Sequence, residues 1–180
     1  MNQFIMSTLD IDTILLPFDC DNTDLNGFLF DDAKNYHIER LAKTYLFNDG
    51  EKTVAYWSIL NDSLSIKDFS SDITEATLKK WYSRVAETLS PKKQKKIYPA
   101  VKIGRLAVHK EYKGKGIGRD ILDLVVYHFS HKNISACRFI IVDSLREAIP
   151  FYQKYGFDFL TSKDRSSSTR IMYYELQNVE

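Results

Sequence analysis

The chain has 180 residues, 44% hydrophobic and 13% aromatic, which suits one domain with a full core and excludes a disordered polymer. A formal net charge of +1 excludes a protein that is basic throughout, so a nucleic-acid partner requires a local basic patch. Cys20 and Cys137 form no metal-ligand or redox spacing and read as two buried thiols in a reducing compartment; no apolar run is long enough to span a membrane, and the first six residues are not a secretory signal, so a cytoplasmic protein is expected.

In chain order, Phe4 to Leu9 reads as a short strand. Asp21 to Asp24 is a cluster of helix-capping residues, followed by Leu25, Phe28, Leu29 and Ala33 at helical spacing. Leu41 to Asn48 and Thr53 to Leu60 read as two strands, with Asp49-Gly50 between them as a hairpin turn. Asn61 to Pro99 is less regular, apart from a helix predicted over Thr77 to Leu89 with Leu78, Trp81, Val85 and Leu89 on one face. The most basic run follows, Lys92 to Lys96, with two readings: a solvated loop, or a contact for a phosphate backbone. Val101 to Val108 is a strand, Ile117 to Phe129 an apolar helix, and Cys137 to Val142 a strand apolar enough to be buried on both faces. Glu147 to Tyr155 is a helix with Gly156 as its C-cap, and Phe157 to Leu160 and Arg170 to Leu176 are two closing strands. Strands alternating with helices and hairpins imply a mixed sheet with helices on both sides. No internal repeat or low-complexity linker interrupts the chain.

Glu111 to Asp120, "EYKGKGIGRD", places glycines at three alternate positions, among cations, at the start of the apolar helix. Such a loop suits an anion, because its backbone N–H groups converge and the helix N-terminus favours negative charge. Lys113, Lys115 and Arg119 add full charges. A dinucleotide fingerprint fails because its third glycine falls on Arg119, and no Gly-x-x-x-x-Gly-Lys-Ser/Thr string exists.

Lys113-Gly114-Lys115-Gly116-Ile117-Gly118 instead resembles the Gln/Arg-x-x-Gly-x-Gly/Ala signature of the GNAT N-acetyltransferases, with Lys113 in the usual Gln/Arg position. "GRLAVHKEYKGKGIG" is similar to that superfamily's strand–loop–helix core, and "IIVDSLREAIPFYQKYGF" to its second half, so the resemblance runs from about Phe4 to Leu176. "LPFDCDNTDLNGFLFDDA" and "GRLAV" further resemble the GNAT-type toxins of bacterial toxin–antitoxin pairs, which acetylate the amino group of aminoacyl-tRNA. The resemblance implies a single α/β (α+β) GNAT domain over residues 1–180. Its fold would be a central mixed, mostly antiparallel sheet of six to seven strands with helices on both faces. It implies acetyl-CoA as co-substrate, aminoacyl-tRNA as acceptor and an antitoxin protein as partner; a homodimer is compatible, and no membrane is involved. Leu106, Ala107 and Val108 would bond the pantetheine arm through their backbone, and Lys113, Gly114, Lys115, Gly116, Ile117, Gly118 and Arg119 would cradle the pyrophosphate. The same "RLAV" is also an ordinary core strand, and both readings hold together.

Acetylating an amine from a thioester needs a neutral amine, a stabilised oxyanion and a protonated thiolate. The resemblance puts Tyr152 at the thiolate-protonating position; a phenol with a pKa of about 10 keeps its proton near neutrality. Its bland reading is an aromatic helix residue packed beside Phe151, Tyr155 and Phe157. Many relatives carry a glutamate about four residues before Leu-Ala-Val, where this chain has Lys102, and no residue from Val101 to Val108 is acidic. A lysine acceptor, with a pKa of about 10.4, needs strong help to lose its proton, whereas an α-amine at roughly 7.7 to 8.0 is already partly neutral. The missing carboxylate therefore tilts the acceptor towards an α-amine, with Glu111, Asp143 or Glu147 left as bases acting through water. Arg105 is read as catalytic, contacting substrate or aiding the oxyanion, with a strand-end salt bridge as its alternative. His37, His109, His128 and His131 have no metal-ligand spacing, and no metal is expected.

Three functions compete: an acetyltransferase of the toxin-like branch, an acetyltransferase for a small-metabolite amine or a protein N-terminus, and a non-catalytic acyl-CoA-binding module. Tyr152 together with an intact glycine loop weighs against the third.

Overall fold

The computed structural model of the chain describes residues 4–87, 89–132 and 135–176, with only the backbone of Lys132. Seven strands form a sheet of order β1-β2-β3-β4-β5-β7-β6: β1 (Ile5–Thr8), β2 (Lys43–Asn48), β3 (Thr53–Ser65), β4 (Ile97–Val108), β5 (Phe139–Leu145), β6 (Asp158–Phe159) and β7 (Thr169–Glu175). It is mostly antiparallel and accompanied by helices, as expected of the fold. The chain divides into two compact units, one from the N-terminus to Asn61 plus Lys102–Phe129, the other Asp62–Val101 plus the segment from Ser130.

In the first unit, Asn22 caps α1 (Thr23–Gly27) by accepting the Leu25 N–H at 3.0 Å. The helix passes through a π turn at Phe28–Asp32 into α2 (Ala33–Ile38), so the apolar spacing predicts the helix but not its wider turn. β2 and β3 form the expected hairpin: Asp49 Oδ1 accepts the N–H groups of Glu51 and Lys52, each at 2.9 Å, and Gly50 takes φ +101°. Leu9, Phe18, Phe28, Leu29, Leu46 and Tyr56 pack into one buried cluster. α5 (Ile117–Tyr127) buries Ile117, Ile121, Leu122 and Val125 at helical spacing and runs on into a π turn at His128–Lys132.

In the second unit, β3 continues to Ser65, five residues past the predicted end. Ser65 and Asp68 then form a reciprocal capping box that starts the four-residue helix α3 (Ile66–Phe69), an element the sequence reading left irregular. α4 (Glu75–Val85) buries Trp81 and Val85 as expected, but ends before Leu89, which packs on the same core from outside the helix. Thr88, within the predicted helix, lies outside the described residues. Leu64, Ile66, Trp81, Tyr98, Phe139 and Leu160 form this unit's core. α6 (Ile149–Tyr155) stops at Gly156, whose φ of +118° is the predicted glycine cap. Two arginines fasten the β6–β7 connection. Arg170, against the Phe159 ring, pairs with Asp164 at 2.7 Å, and Arg146 donates to the carbonyls of Arg165 and Ser167.

Cys20 is buried, but Cys137 is only half-buried, which corrects the expectation of two buried thiols; burial pushes both thiol pKa values up. Among the described residues, no helix is long and apolar enough to cross a membrane, and no group of three or more His, Cys, Asp or Glu side chains could hold a metal ion.

Candidate active site

The first unit carries the glycine loop, Arg105 and the Leu106–Val108 end of β4; the second carries Tyr152. Ala107 is buried in the first unit's core, and Leu106 and Val108 are half-buried. Beyond β4, His109 is buried, its backbone N–H on the Val54 carbonyl at 2.8 Å. Its Nδ1 accepts the Glu111 N–H at 3.2 Å. His109 thus shapes the entry to the loop, a positional role that the sequence did not reveal.

Gly114 and Gly116 take φ +75° and +88°, and nothing lies within 4 Å of where their Cβ atoms would stand. Gly116 is the N-cap of α5, and its carbonyl receives the N–H groups of Arg119 and Asp120 at 2.9 and 3.1 Å. Among the described residues, the N–H groups of residues 114 to 118 have no protein acceptor. An open, glycine-lined turn at the start of an eleven-residue helix, with backbone donors left over among the described residues, has the chemistry to receive a pyrophosphate.

The cations of the loop divide their work. Lys113 turns back: its Nζ donates to the Cys20 carbonyl at 2.7 Å and pairs with Asp21 at 3.3 Å. Its charge is thereby shared with a carboxylate before any anion arrives, which a lysine read in isolation could not show. Lys110 makes a parallel tie to Asp19 at 2.7 Å; that ammonium, with N–H donors from Asp21 and Asn26, holds the Asp19 carboxyl far below the ordinary range. On the other side, Tyr112 donates a very short hydrogen bond to Asp49, holding that carboxyl at about 2. Lys52 pairs with Glu111 at 2.8 Å. The loop is therefore tethered to both the Asp19–Asp21 segment and the β2–β3 hairpin. Lys115 stands 4.8 Å over the Tyr112 ring, and Arg119 approaches Asp123 at 3.9 Å.

The Lys52 pair also bears on the choice of base. It lowers the Glu111 carboxyl below its usual range, making Glu111 a weaker proton acceptor. Asp143 and Glu147 are exposed, in the other unit. Arg105 lies over the Phe28 ring at 5.0 Å, donates through Nη1 to the Gly104 carbonyl at 2.9 Å and has Asp24 at 4.0 Å from Nε. That buried Nε has no hydrogen-bond acceptor, so the guanidinium keeps unspent donor capacity beside α1.

In the second unit, Tyr152 is 5% exposed, between Phe151 and Phe157 with ring centroids at 5.0 and 5.2 Å. The Gly156 cap fixes this turn, because the Tyr152 carbonyl accepts the N–H groups of both Gly156 and Phe157. Burial raises the phenol pKa well above its ordinary value, so the hydroxyl remains a proton donor throughout the physiological range. The packed-aromatic reading of Tyr152 thus holds for Phe151 and Phe157.

Residues 71–177 match the family model of the acetyltransferase (GNAT) domain. The fold recurs in a bacterial toxin at 19% identity, covering 98% of this chain and 93% of that one, with a TM-score of 0.76. AtaTR bound with AcCoA matches at 21% identity over 98% and 95% of the two chains, with a TM-score of 0.73. AtaT complexed with acetyl-methionyl-tRNAfMet matches at 18% identity over 96% and 95%, with a TM-score of 0.70. With its glycine loop opening α5 and the family model spanning more than half its length, the chain belongs to the GNAT acetyltransferase family.

Proposed function

We propose that the protein transfers an acetyl group from acetyl-CoA to the α-amine of an aminoacyl-tRNA in the cytoplasm, as a toxin whose partner is an antitoxin protein. The observation that carries the choice of acceptor is the character of β4. Lys102 stands where many relatives place a carboxylate, and the Lys52 ion pair makes Glu111 a weaker proton acceptor. An α-amine beside an ester is neutral often enough at pH 7 to react without a strong base. Structural neighbours bound to AcCoA and to acetyl-methionyl-tRNAfMet support the same reading, as does a neighbour bound to the antitoxin AtaR.

In this reading the N–H groups of residues 114 to 118 and the start of α5 hold the pyrophosphate. Lys115 and Arg119 supply charge, and Lys113 fastens the loop through its side chain. The backbone of Leu106, Ala107 and Val108 aligns the pantetheine arm. The neutral amine attacks the thioester carbonyl, the tetrahedral intermediate collapses, and Tyr152 gives its proton to the departing thiolate. The amine's surplus proton leaves to water, and the Tyr152 phenolate takes one back from water as the products depart. Arg105, whose side chain is partly exposed, contacts the acceptor or the oxyanion.

The test is incubation with labelled acetyl-CoA and a pool of charged tRNAs, beside amino acids, polyamines and peptides. Label should enter the charged tRNA. Label entering only the small amines or peptides would replace this reading with a small-metabolite or N-terminal acetyltransferase.

A further inference from the structure

The near-zero net charge conceals a division between the two units. The first holds 10 Lys and Arg against 13 Asp and Glu, while the second holds 15 against 11. Within the second, the run at Lys92, Lys93, Lys95 and Lys96 is exposed in its side chains but not loose in its backbone. The buried Trp81 indole donates to the Lys95 carbonyl at 3.0 Å, the Lys95 N–H donates to the buried Tyr98 hydroxyl at 2.8 Å, and the Ile66 N–H donates to the Lys96 carbonyl at 2.9 Å. That last bond joins the run to the start of α3. There the ammonium of Lys163 donates to the Lys67 carbonyl at 3.3 Å, and Thr161 ties the β6–β7 connection to the Phe69 carbonyl at 2.9 Å.

Among the described residues, none of these six lysines is ion-paired with a carboxylate. The contrast with the first unit is direct, since Lys52, Lys110 and Lys113 each have a carboxylate partner there. A fixed backbone that gathers like charges and leaves them unpaired gains nothing within the protein; a polyanion supplies the missing partners and finds the charges already placed.

We infer that Lys67, Lys92, Lys93, Lys95, Lys96 and Lys163 form a docking surface for the phosphodiester backbone of the RNA acceptor. The inference rests on the proposed aminoacyl-tRNA acceptor and names the surface that grips it. Lysine ammoniums are point charges without the planar fork of arginine, so the surface reads phosphate and not bases, and different tRNA bodies should bind it alike.

The test uses fluorescently labelled, deacylated tRNA and anisotropy across a salt series, so that its result does not depend on acetyl transfer. Replacing Lys92, Lys93, Lys95 and Lys96 together with Gln leaves all three backbone anchors in place. Affinity should fall about tenfold or more near 0.1 M salt. The log–log salt slope should become shallower by roughly 3, at about 0.7 to 0.9 per lost contact. The pairs Lys92→Gln/Lys93→Gln and Lys95→Gln/Lys96→Gln should each give about half the change in slope, and serve if the fourfold variant does not fold. The fourfold Lys→Arg variant should restore it. Lys67→Gln/Lys163→Gln should reduce the slope as well. Turnover of a free amino-acid ester should be unchanged in every variant. Unchanged tRNA affinity and slope in folded Gln variants would overturn the assignment. If tRNA binding behaves as expected while charged tRNA is never acetylated, the surface stands and the proposed acceptor reaction fails.

Discussion

Gly116 allows the charge and the shape of the proposed pyrophosphate site to be separated. It holds φ +88° at the N-cap of α5, and a Cβ there meets no atom within 4 Å. A side chain at this position therefore clashes with nothing but imposes the left-handed penalty, roughly 1–2 kcal/mol for an L-residue. Gly116→Asn and Gly116→Asp carry that same strain and nearly the same shape, and differ by one negative charge. For a chain of this size, the strain should lower Tm by about 2–4 °C per kcal/mol in both variants. A carboxylate about 5 Å from a phosphate charge, at an effective dielectric between 20 and 80, is repelled by roughly 1–3 kcal/mol, or about 5- to 150-fold in Kd. The exposure of the loop places the expectation in the lower half of that range. Calorimetric titration of acetyl-CoA into both variants gives the ratio directly, and the ratio should shrink as salt is added. Equal affinity for Asp and Asn at low salt would show that no phosphate approaches Gly116 and would remove the loop from the cofactor site.

Tyr152→Phe keeps the packing against Phe151 and Phe157 and removes only the proton donor; kcat should fall ~10²–10⁴-fold with acetyl-CoA affinity and Tm unchanged, as steady-state kinetics and calorimetry would show. Asp164→Ala leaves Arg170 largely buried without its carboxylate, the two side chains being 10% and 13% exposed, and should cost roughly 3 kcal/mol in chemical denaturation. The Asp49 carboxyl is depressed to about 2 from an ordinary 3.8, chiefly by the Tyr112 hydroxyl. Because its folded pKa is lowered, its contribution to stability is present above about pH 4 and is lost as pH falls through about 2. The stability difference between wild type and Asp49→Asn should therefore close over that interval in pH-dependent denaturation.

Much of the fold is legible wherever a local rule decides it. Asp49-Gly50 specifies the hairpin through an Asp side chain that caps its own turn, and Gly156 ends α6 because only glycine takes φ +118° at little cost. Local rules fail where the sequence looks polar but the backbone continues. Asn61, Asp62 and Ser63 read as the end of a strand, yet β3 runs through them to Ser65. The signal for α3 was present as Ser65 and Asp68 at capping-box spacing, but a four-residue helix has no apolar period to reveal it. In the candidate site, the glycines and Tyr152 are visible because their chemistry travels with their spacing. The ties from Lys113 to Asp21, Lys52 to Glu111 and Tyr112 to Asp49 are not, since each joins residues more than fifty positions apart. The basic surface is legible only in part: the Lys92 to Lys96 run stands out in the sequence, whereas its link to Lys67 and Lys163 through the start of α3 does not.

The most direct test is to locate the acetyl group itself. Charged tRNA incubated with acetyl-CoA and enzyme, then digested to release the 3′-terminal adenosine with its amino acid, can be analysed by mass spectrometry with fragmentation. The account predicts aminoacyl-adenosine one acetyl group heavier, with the added mass on the α-nitrogen, and almost none from the Tyr152→Phe enzyme. An unmodified aminoacyl-adenosine from active wild-type enzyme, or acetyl groups found on the nucleoside instead of the α-nitrogen, would contradict it.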